Sequence, residues 1–190
     1  MPKLAERIET PRMQLRVPEA TDAGELNAAV AASFTELTAW MPWANSPQTL
    51  EETQQFYEDS RSGWMRDDRF NLLMVTRSNG KIIGGTCFPR LDWEVPSFEI
   101  GYWCHSDHVG QGYVAEATYA LATYAFTELS AARVKLRMDT RNERSWRVAE
   151  RLGFVLEGVL RSDTRDPSGQ LRDTRVYAAV KLEDLLPADR

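Results

Sequence analysis

Apolar positions recur along this chain with two periods, and the switches between them mark out its elements. Period two, the mark of a half-buried strand, first occurs at MQLRV (13–17). Residues 20–33 then follow the helical period. Leu26, Ala29, Val30 and Ser33 share one face, and a side-chain oxygen of Thr21 or Asp22 is placed to cap the start. FTELTAWMPWANSP (34–47) predicts a second, short helix that stops before Pro42, since the residue preceding a proline is pushed out of helical geometry. Ser46 or Thr49 caps a third, charged amphipathic helix, LEETQQFYEDSRSGWM.

Residues 69–77 and 81–91 read as strands around SNGK, where Asn79-Gly80 supplies the two positive-φ residues of a type I′ hairpin turn. SFEIGYWC (97–104) completes a three-stranded meander. GYVAEATYALATYAFTEL (112–129) is apolar nearly all round, which predicts a buried helix. Residues 132–140 alternate again. NERSWRVAERLG (142–153) has Asn142 as N-cap and Gly153 at the C′ position. FVLEGVLRSD and LRDTRVYAAVKL are two last strands around DPSGQ. The order predicts one mixed α/β sheet. At 190 residues, without internal repeats or low-complexity tracts, the chain fits one domain, 1–190, with a core of its own.

Charge and composition remove several function classes. A net charge of -5 gives no electrostatic reason to bind nucleic acid and tolerates amines and basic peptides. Two cysteines, Cys87 and Cys104, make no disulfide framework and suit a reducing compartment. No window approaches the roughly 20 apolar residues of a membrane span, and residues 1–16 have no signal-peptide core, so a cytoplasmic location is expected.

The candidate chemistry begins at HVGQGYVAEA (108–117), where a strand hands over to a helix. The first N–H groups of a helix lack internal partners and carry the positive end of its dipole. Gly110 and Gly112 there leave room for an anion, a phosphate or pyrophosphate, to reach those amides. The alternative is a tight turn that binds nothing. No Gly-Lys-Ser/Thr follows, so this is no P-loop, and the third glycine of a dinucleotide fingerprint is missing. Glu99 is a carboxylate inside the apolar run SFEIGYW; it is a candidate general base, or a strand residue facing solvent. Cys104, His105, Asp107 and His108 crowd into five residues and cannot easily converge on one tetrahedral ion, so no metal is expected.

FEIGYWCHSDHVGQGYVAEA followed by DTRNERSWRVAERLGFVLEGVLR resembles the GNAT superfamily of acetyl-CoA-dependent N-acetyltransferases, and within it the RimJ/RimL-type branch. IETPRMQLRVPEATDAGELNAA and WMPWANSP are similar to that branch too, so the resemblance runs from about Ile8 to Val180. It implies a mostly antiparallel central sheet with helices on both faces, splayed between the fourth and fifth predicted strands, 97–104 and 132–140. It also implies that acetyl-CoA is the co-substrate. The family's pyrophosphate loop, Arg/Gln-x-x-Gly-x-Gly/Ala, falls on Val109, Gly110, Gln111, Gly112, Tyr113 and Val114. Val109 and Val114 depart from the pattern; the loop works through backbone amides, which Val109 keeps.

By the same resemblance, Gly101, Tyr102 and Trp103 offer their backbone edge to the pantetheine arm, Asn142 reaches it, and His108 lies near the phosphates. Ser145 sits by the sulfur as hydrogen-bond donor to the leaving group, with Tyr102 and Tyr113 as alternative proton donors. Trp40 and Trp43 wall the acceptor pocket, or close a helical core layer. The acidic run EETQQFYEDS either steers a basic acceptor or is a solvated helix face. The implied reaction is direct attack of an amine in a ternary complex, since neither cysteine has a base beside it in sequence. The favoured acceptor is the N-terminal α-amine of a protein such as a ribosomal protein. Small amines, antibiotics or amino-acid conjugates stand second, and a non-catalytic CoA-binding protein third. A homodimer agrees with the family.

Overall fold

A computed structural model describes residues 4–188. Its centre is an eight-stranded sheet: β1 (Arg7–Glu9), β2 (Met13–Arg16), β3 (Phe70–Thr76), β4 (Ile82–Asp92), β5 (Ser97–Cys104), β6 (Arg133–Asp139), β7 (Val155–Arg165) and β8 (Leu171–Ala179). The spatial order is β1-β2-β3-β4-β5-β6-β8-β7. Every pairing is antiparallel except β5 with β6. That pair is parallel because the chain crosses between them through the helix α4 (Tyr113–Thr127), as parallel neighbours require. Before β3 come α1 (Ala23–Ala32), α2 (Phe34–Leu37) and α3 (Leu50–Met65); α5 (Glu143–Arg151) lies between β6 and β7.

Both faces are covered, each by a separate apolar cluster. Phe98 and Ile100 of β5 and Val134, Leu136 and Met138 of β6 point to the face that packs on Ala117, Leu121 and Ala125 of α4 and Ala149 of α5. On the opposite face Leu73 and Val75 of β3 meet Leu26 and Val30 of α1 and Leu37 of α2. Strand periodicity therefore sorts side chains between two compartments rather than between core and solvent.

The β5–β6 ladder covers only Ser97–Ile100 against Arg133–Leu136. Beyond it, residues 101–104 keep their bonds to β4 and residues 137–139 theirs to β8, so the two strands part. The splay falls between the strands expected, 97–104 and 132–140. A bulge in β4 lies next to it. Cys87 pairs with Gly101 and Arg90 with Glu99, so β4 carries one residue more than β5 over that span. Pro89 sits in the bulge, where its missing N–H costs no ladder bond.

Several local expectations are corrected. The hairpin 70–92 does not turn on a two-residue type I′ loop: Gly80 has φ +68, but Asn79 is not among the positive-φ residues. The loop spans residues 77–80, closed by Gly80 N–H donating to Thr76 O, and Asn79 Oδ1 instead accepts from the Thr76 hydroxyl and the Lys81 N–H. Neither Thr21 nor Asp22 caps α1. The Asp22 carboxylate is held at 2.7 Å by both guanidinium nitrogens of Arg16 and accepts the Glu19 N–H at 2.6 Å, on a short 3₁₀ turn (Ala20–Asp22). The helix expected over 34–47 shrinks to the single turn α2. Thr49, not Ser46, starts α3, with Glu52 completing a capping box. Strand β1 was not anticipated.

At the end of α5, Gly153 has φ +83, and a Cβ there would lie 2.3 Å from the Asp184 carbonyl oxygen. Gly153→Ala is expected to destabilise by about 3 kcal/mol, combining left-handed strain with backbone overlap. A denaturant midpoint unchanged from wild type would contradict it.

Candidate active site

The loop after β5 enters α4 through two left-handed glycines, Gly110 at φ +81 and Gly112 at φ +80. Gly112 is the N-cap residue, and the first helical bond runs from Glu116 N–H to Gly112 O. The N–H groups of Gly112, Tyr113, Val114 and Ala115 donate to no backbone or side-chain oxygen among the described residues. They form a cluster of free donors at the positive end of a 15-residue helix, which is chemistry for an anion. Val109 and Gln111 are exposed around it, and Gln111 Nε2 donates to Asp107 O at 2.9 Å. Val114 packs partly into the core. His108 stacks edge-on against His105 and Tyr113, leaving its buried Nδ1 without a partner.

From the far edge of the sheet, Arg12 reaches this loop. Its Nη1 donates to Gln111 O at 2.8 Å, and its guanidinium carbon lies 4.4 Å from the Tyr113 ring centroid. Glu116, buried in the first turn of α4, accepts from Arg12 Nε at 2.5 Å, Arg12 N–H at 2.8 Å and the Thr10 hydroxyl at 2.6 Å. Burial works against its charge, but these hydrogen bonds outweigh it and hold the carboxyl below its ordinary value.

Where β5 and β6 part, Gly101, Tyr102 and Trp103 have their ladder bonds on the β4 side only. The gap is spanned by side chains: the Tyr102 hydroxyl lies 2.9 Å from Ser145 Oγ in the first turn of α5. Burial pushes Tyr102 up to about 12, so it stays protonated and able to donate. Asn142 caps α5, its Oδ1 accepting the Ser145 N–H at 3.2 Å. Its side-chain oxygen thus orients Ser145.

Glu99 points to the other face. It lines a polar cavity of about 380 Å³ with Arg137, Asp163, Thr164, Arg172 and Thr174. Arg137 Nη2 is paired with Asp163 at 2.5 Å. Three buried polar atoms of this lining have no partner: Glu99 Oε2, Arg137 Nε and Thr174 Oγ1. Buried polar groups are normally satisfied, so the cavity is made for water or a polar guest. Trp43 is exposed and meets Trp103 edge-on at 6.3 Å, on the same face as Glu99. Trp40, half-buried, lines neither this cavity nor that ring pair. Burial raises the thiol of Cys87 to about 12 and that of Cys104 to about 11, far from thiolate chemistry at neutral pH.

Residues 12–155 match the acetyltransferase (GNAT) domain family. The chain belongs to that family. This acetyltransferase is 30% identical over 181 residues to the uncharacterized N-acetyltransferase p20 of Bacillus licheniformis, covering 94% of this chain and 98% of the relative. It is 32% identical over 134 residues to the ribosomal-protein-serine acetyltransferase of Escherichia coli (strain K12), covering 70% and 73%. Among solved structures, the microcin C7 self-immunity acetyltransferase MccE, in complex with acetyl-CoA and AMP, aligns with TM-score 0.83 at 24% identity over 90% of this chain and 93% of that one. RimL, the ribosomal L7/L12 α-N-protein acetyltransferase, in complex with coenzyme A, aligns with TM-score 0.84 at 21% identity over 93% and 99%. At those identities the likeness establishes the GNAT fold.

Sequence reasoning named Glu99, Tyr102, the loop 109–114, Asn142 and Ser145, and the fold gathers all of them around one strand parting. It missed Arg12 and Glu116, which are 104 positions apart, and the pair Arg137–Asp163. Glu116 alone gave a signal, a single acid inside an otherwise apolar helix.

Two glycine variants should behave differently. Gly110→Ala meets no atom within 4 Å and costs about 1–2 kcal/mol of left-handed strain. Gly112→Ala carries the same strain, and its Cβ would lie 3.3 Å from Arg12 Nη2. Thermal denaturation with inorganic pyrophosphate should show stabilisation retained in Gly110→Ala and lost in Gly112→Ala. Glu116 supplies a pH test. Its folded carboxyl titrates below the ordinary 4.5, so its stabilisation is complete above that pH and lost as pH falls through the lower folded value. The Tm difference between wild type and Glu116→Gln should therefore shrink from about pH 7 to about pH 3.

Proposed function

We propose that this acetyltransferase moves the acetyl group of acetyl-CoA directly onto a primary amine, with both substrates bound at once and no acyl-enzyme. The observation that carries the reading is the meeting of three features at one place: free amides at the α4 N-terminus, the open edge of residues 101–103, and Glu99 facing an unsatisfied polar cavity. The amides of 112–115 hold the pyrophosphate, and the β5 edge pairs with the amide-bearing pantetheine arm as an added strand would. The amine enters from the Glu99 face.

Glu99 takes a proton from the incoming ammonium, directly or through a water in the cavity, so that a lone pair is free to attack the thioester carbonyl. The new C–N bond forms as the C–S bond breaks. The departing sulfur takes a proton from the Tyr102–Ser145 hydroxyl pair, oriented by Asn142. The high pKa of Tyr102 suits a donor. The raised thiols of Cys87 and Cys104 support a direct route over a thiol nucleophile.

The acceptor is the N-terminal α-amine of a protein, a ribosomal protein in the first instance. Support comes from the 32% identity to a ribosomal-protein-serine acetyltransferase and from a cavity open toward the exposed Trp43.

Wild-type protein should be stabilised in thermal denaturation by acetyl-CoA and should release thiol steadily with N-terminal peptides. Stabilisation without thiol release from any amine would leave only a CoA-binding protein. Release with small amines but no peptide would overturn the protein acceptor. Glu99→Gln is expected to lower kcat by about 100-fold with acetyl-CoA affinity unchanged. Wild-type turnover across pH would remove Glu99 as the base.

A further inference from the structure

We propose that Arg12 is a pyrophosphate-binding residue of this enzyme, a cation delivered from the β1–β2 hairpin onto the loop that follows β5. The inference rests on the proposed use of acetyl-CoA.

The guanidinium is held on three sides. Nε is bonded to Glu116 Oε2 at 2.5 Å, Nη1 to Gln111 O at 2.8 Å, and the plane lies over the Tyr113 ring at 4.4 Å. These anchors leave Nη2 as the free tip of the fork, with no partner among the described residues. Nη2 is also the atom nearest to Gly112, 3.3 Å from where a Cβ on that residue would stand. The side chain is 46% exposed, so the free tip is open to a ligand from solvent. It therefore sits beside the glycine whose bare backbone opens the amide cluster.

Charge makes the same point. A pyrophosphate diester carries two negative charges, and a helix N-terminus offers the equivalent of about half a positive one. Residues 105–115 contain no Lys or Arg, and Val109 and Val114 put apolar side chains at both ends of the loop. Arg12 is the cation that the fold brings to them, from 99 positions away. A guanidinium suits the task because its planar fork can hold one carboxylate on one side and a phosphate oxygen on the other. Glu116 keeps the fork aimed while its own charge stays buried behind it.

The test compares donors with and without the pyrophosphate. In Arg12→Gln, the Kd for coenzyme A by calorimetry should rise about 10-fold or more, the loss of one charge-assisted hydrogen bond. The Kd for 3′-dephospho-CoA should rise by the same factor, which assigns the contact to the pyrophosphate and not to the 3′-phosphate. The kcat/KM with S-acetylpantetheine, which has no pyrophosphate, should stay within about twofold of wild type. Arg12→Lys, which keeps the charge without the fork, should recover part of the affinity and guards against a folding defect in Arg12→Gln. Unchanged CoA affinity in Arg12→Gln, or equal losses on CoA and S-acetylpantetheine, would overturn the proposal and leave Arg12 a structural staple. Wild-type protein that binds no CoA at all would instead sink the parent reading, and that outcome is visible before any variant is made.

Discussion

After Ile100 and Leu136 the parallel ladder between β5 and β6 ends, although both strands continue. Backbone N–H and C=O groups inside a protein do not stay unpaired without a reason. An inner pair of strands that separates midway exposes such groups in the middle of the sheet, where an edge is least expected. The local causes are visible. The bulge at 87–90 adds twist to β4 and carries β5 with it, while β6 remains held through residue 139 by the straight ladder to β8. The parting is therefore built by unequal partners on the two sides.

Other features of the site are responses to that gap. Tyr102 and Ser145 reach across it from opposite walls. Because α4 is the crossover between the same two strands, its N-terminus must start at the top of the parting, close to where β5 ends. Anion-binding amides and the open strand edge are thereby brought together by topology alone. A long, thin ligand with a phosphate group partway along it and amides beyond fits this arrangement. The Arg12–Glu116 pair ties the outermost hairpin to the same helix start, so the sheet's far edge and its centre are fixed relative to each other.

What the sequence made legible was local. Gly110 and Gly112 between a strand and a helix, Asn142 before and Gly153 after a short helix, and Thr49 with Glu52 each carry their physics in neighbouring residues, and each took the expected conformation. The resemblance supplied the splay, which no periodicity can predict. Failures came where a side chain had a better partner than its neighbours. Asp22 is a good cap by type, but Arg16 offers a bidentate ion pair. Asn79 has the residue type for a left-handed turn, yet its carboxamide is worth more bonded to Thr76 and Lys81. Arg12 and Glu116 were invisible for a different reason: nothing within either segment indicates that the other lies beside it.

Alternation along β5 gives the site its chemical polarity. Successive side chains of a strand point to opposite faces, so residues three apart, Glu99 and Tyr102, cannot share one. Glu99 shares its face with Trp103, toward α1 and α2; Tyr102 lies with α4 and α5. The proposed base and the proposed acid are thus separated by the sheet itself, one on the side where an amine arrives and the other where a sulfur departs. Were they adjacent, the carboxylate would simply bond the phenol and neither would be poised for the reaction. The two faces communicate only where the strands part, and a thioester lying in that opening touches both. The interrupted ladder thus binds one substrate and also admits the second to it.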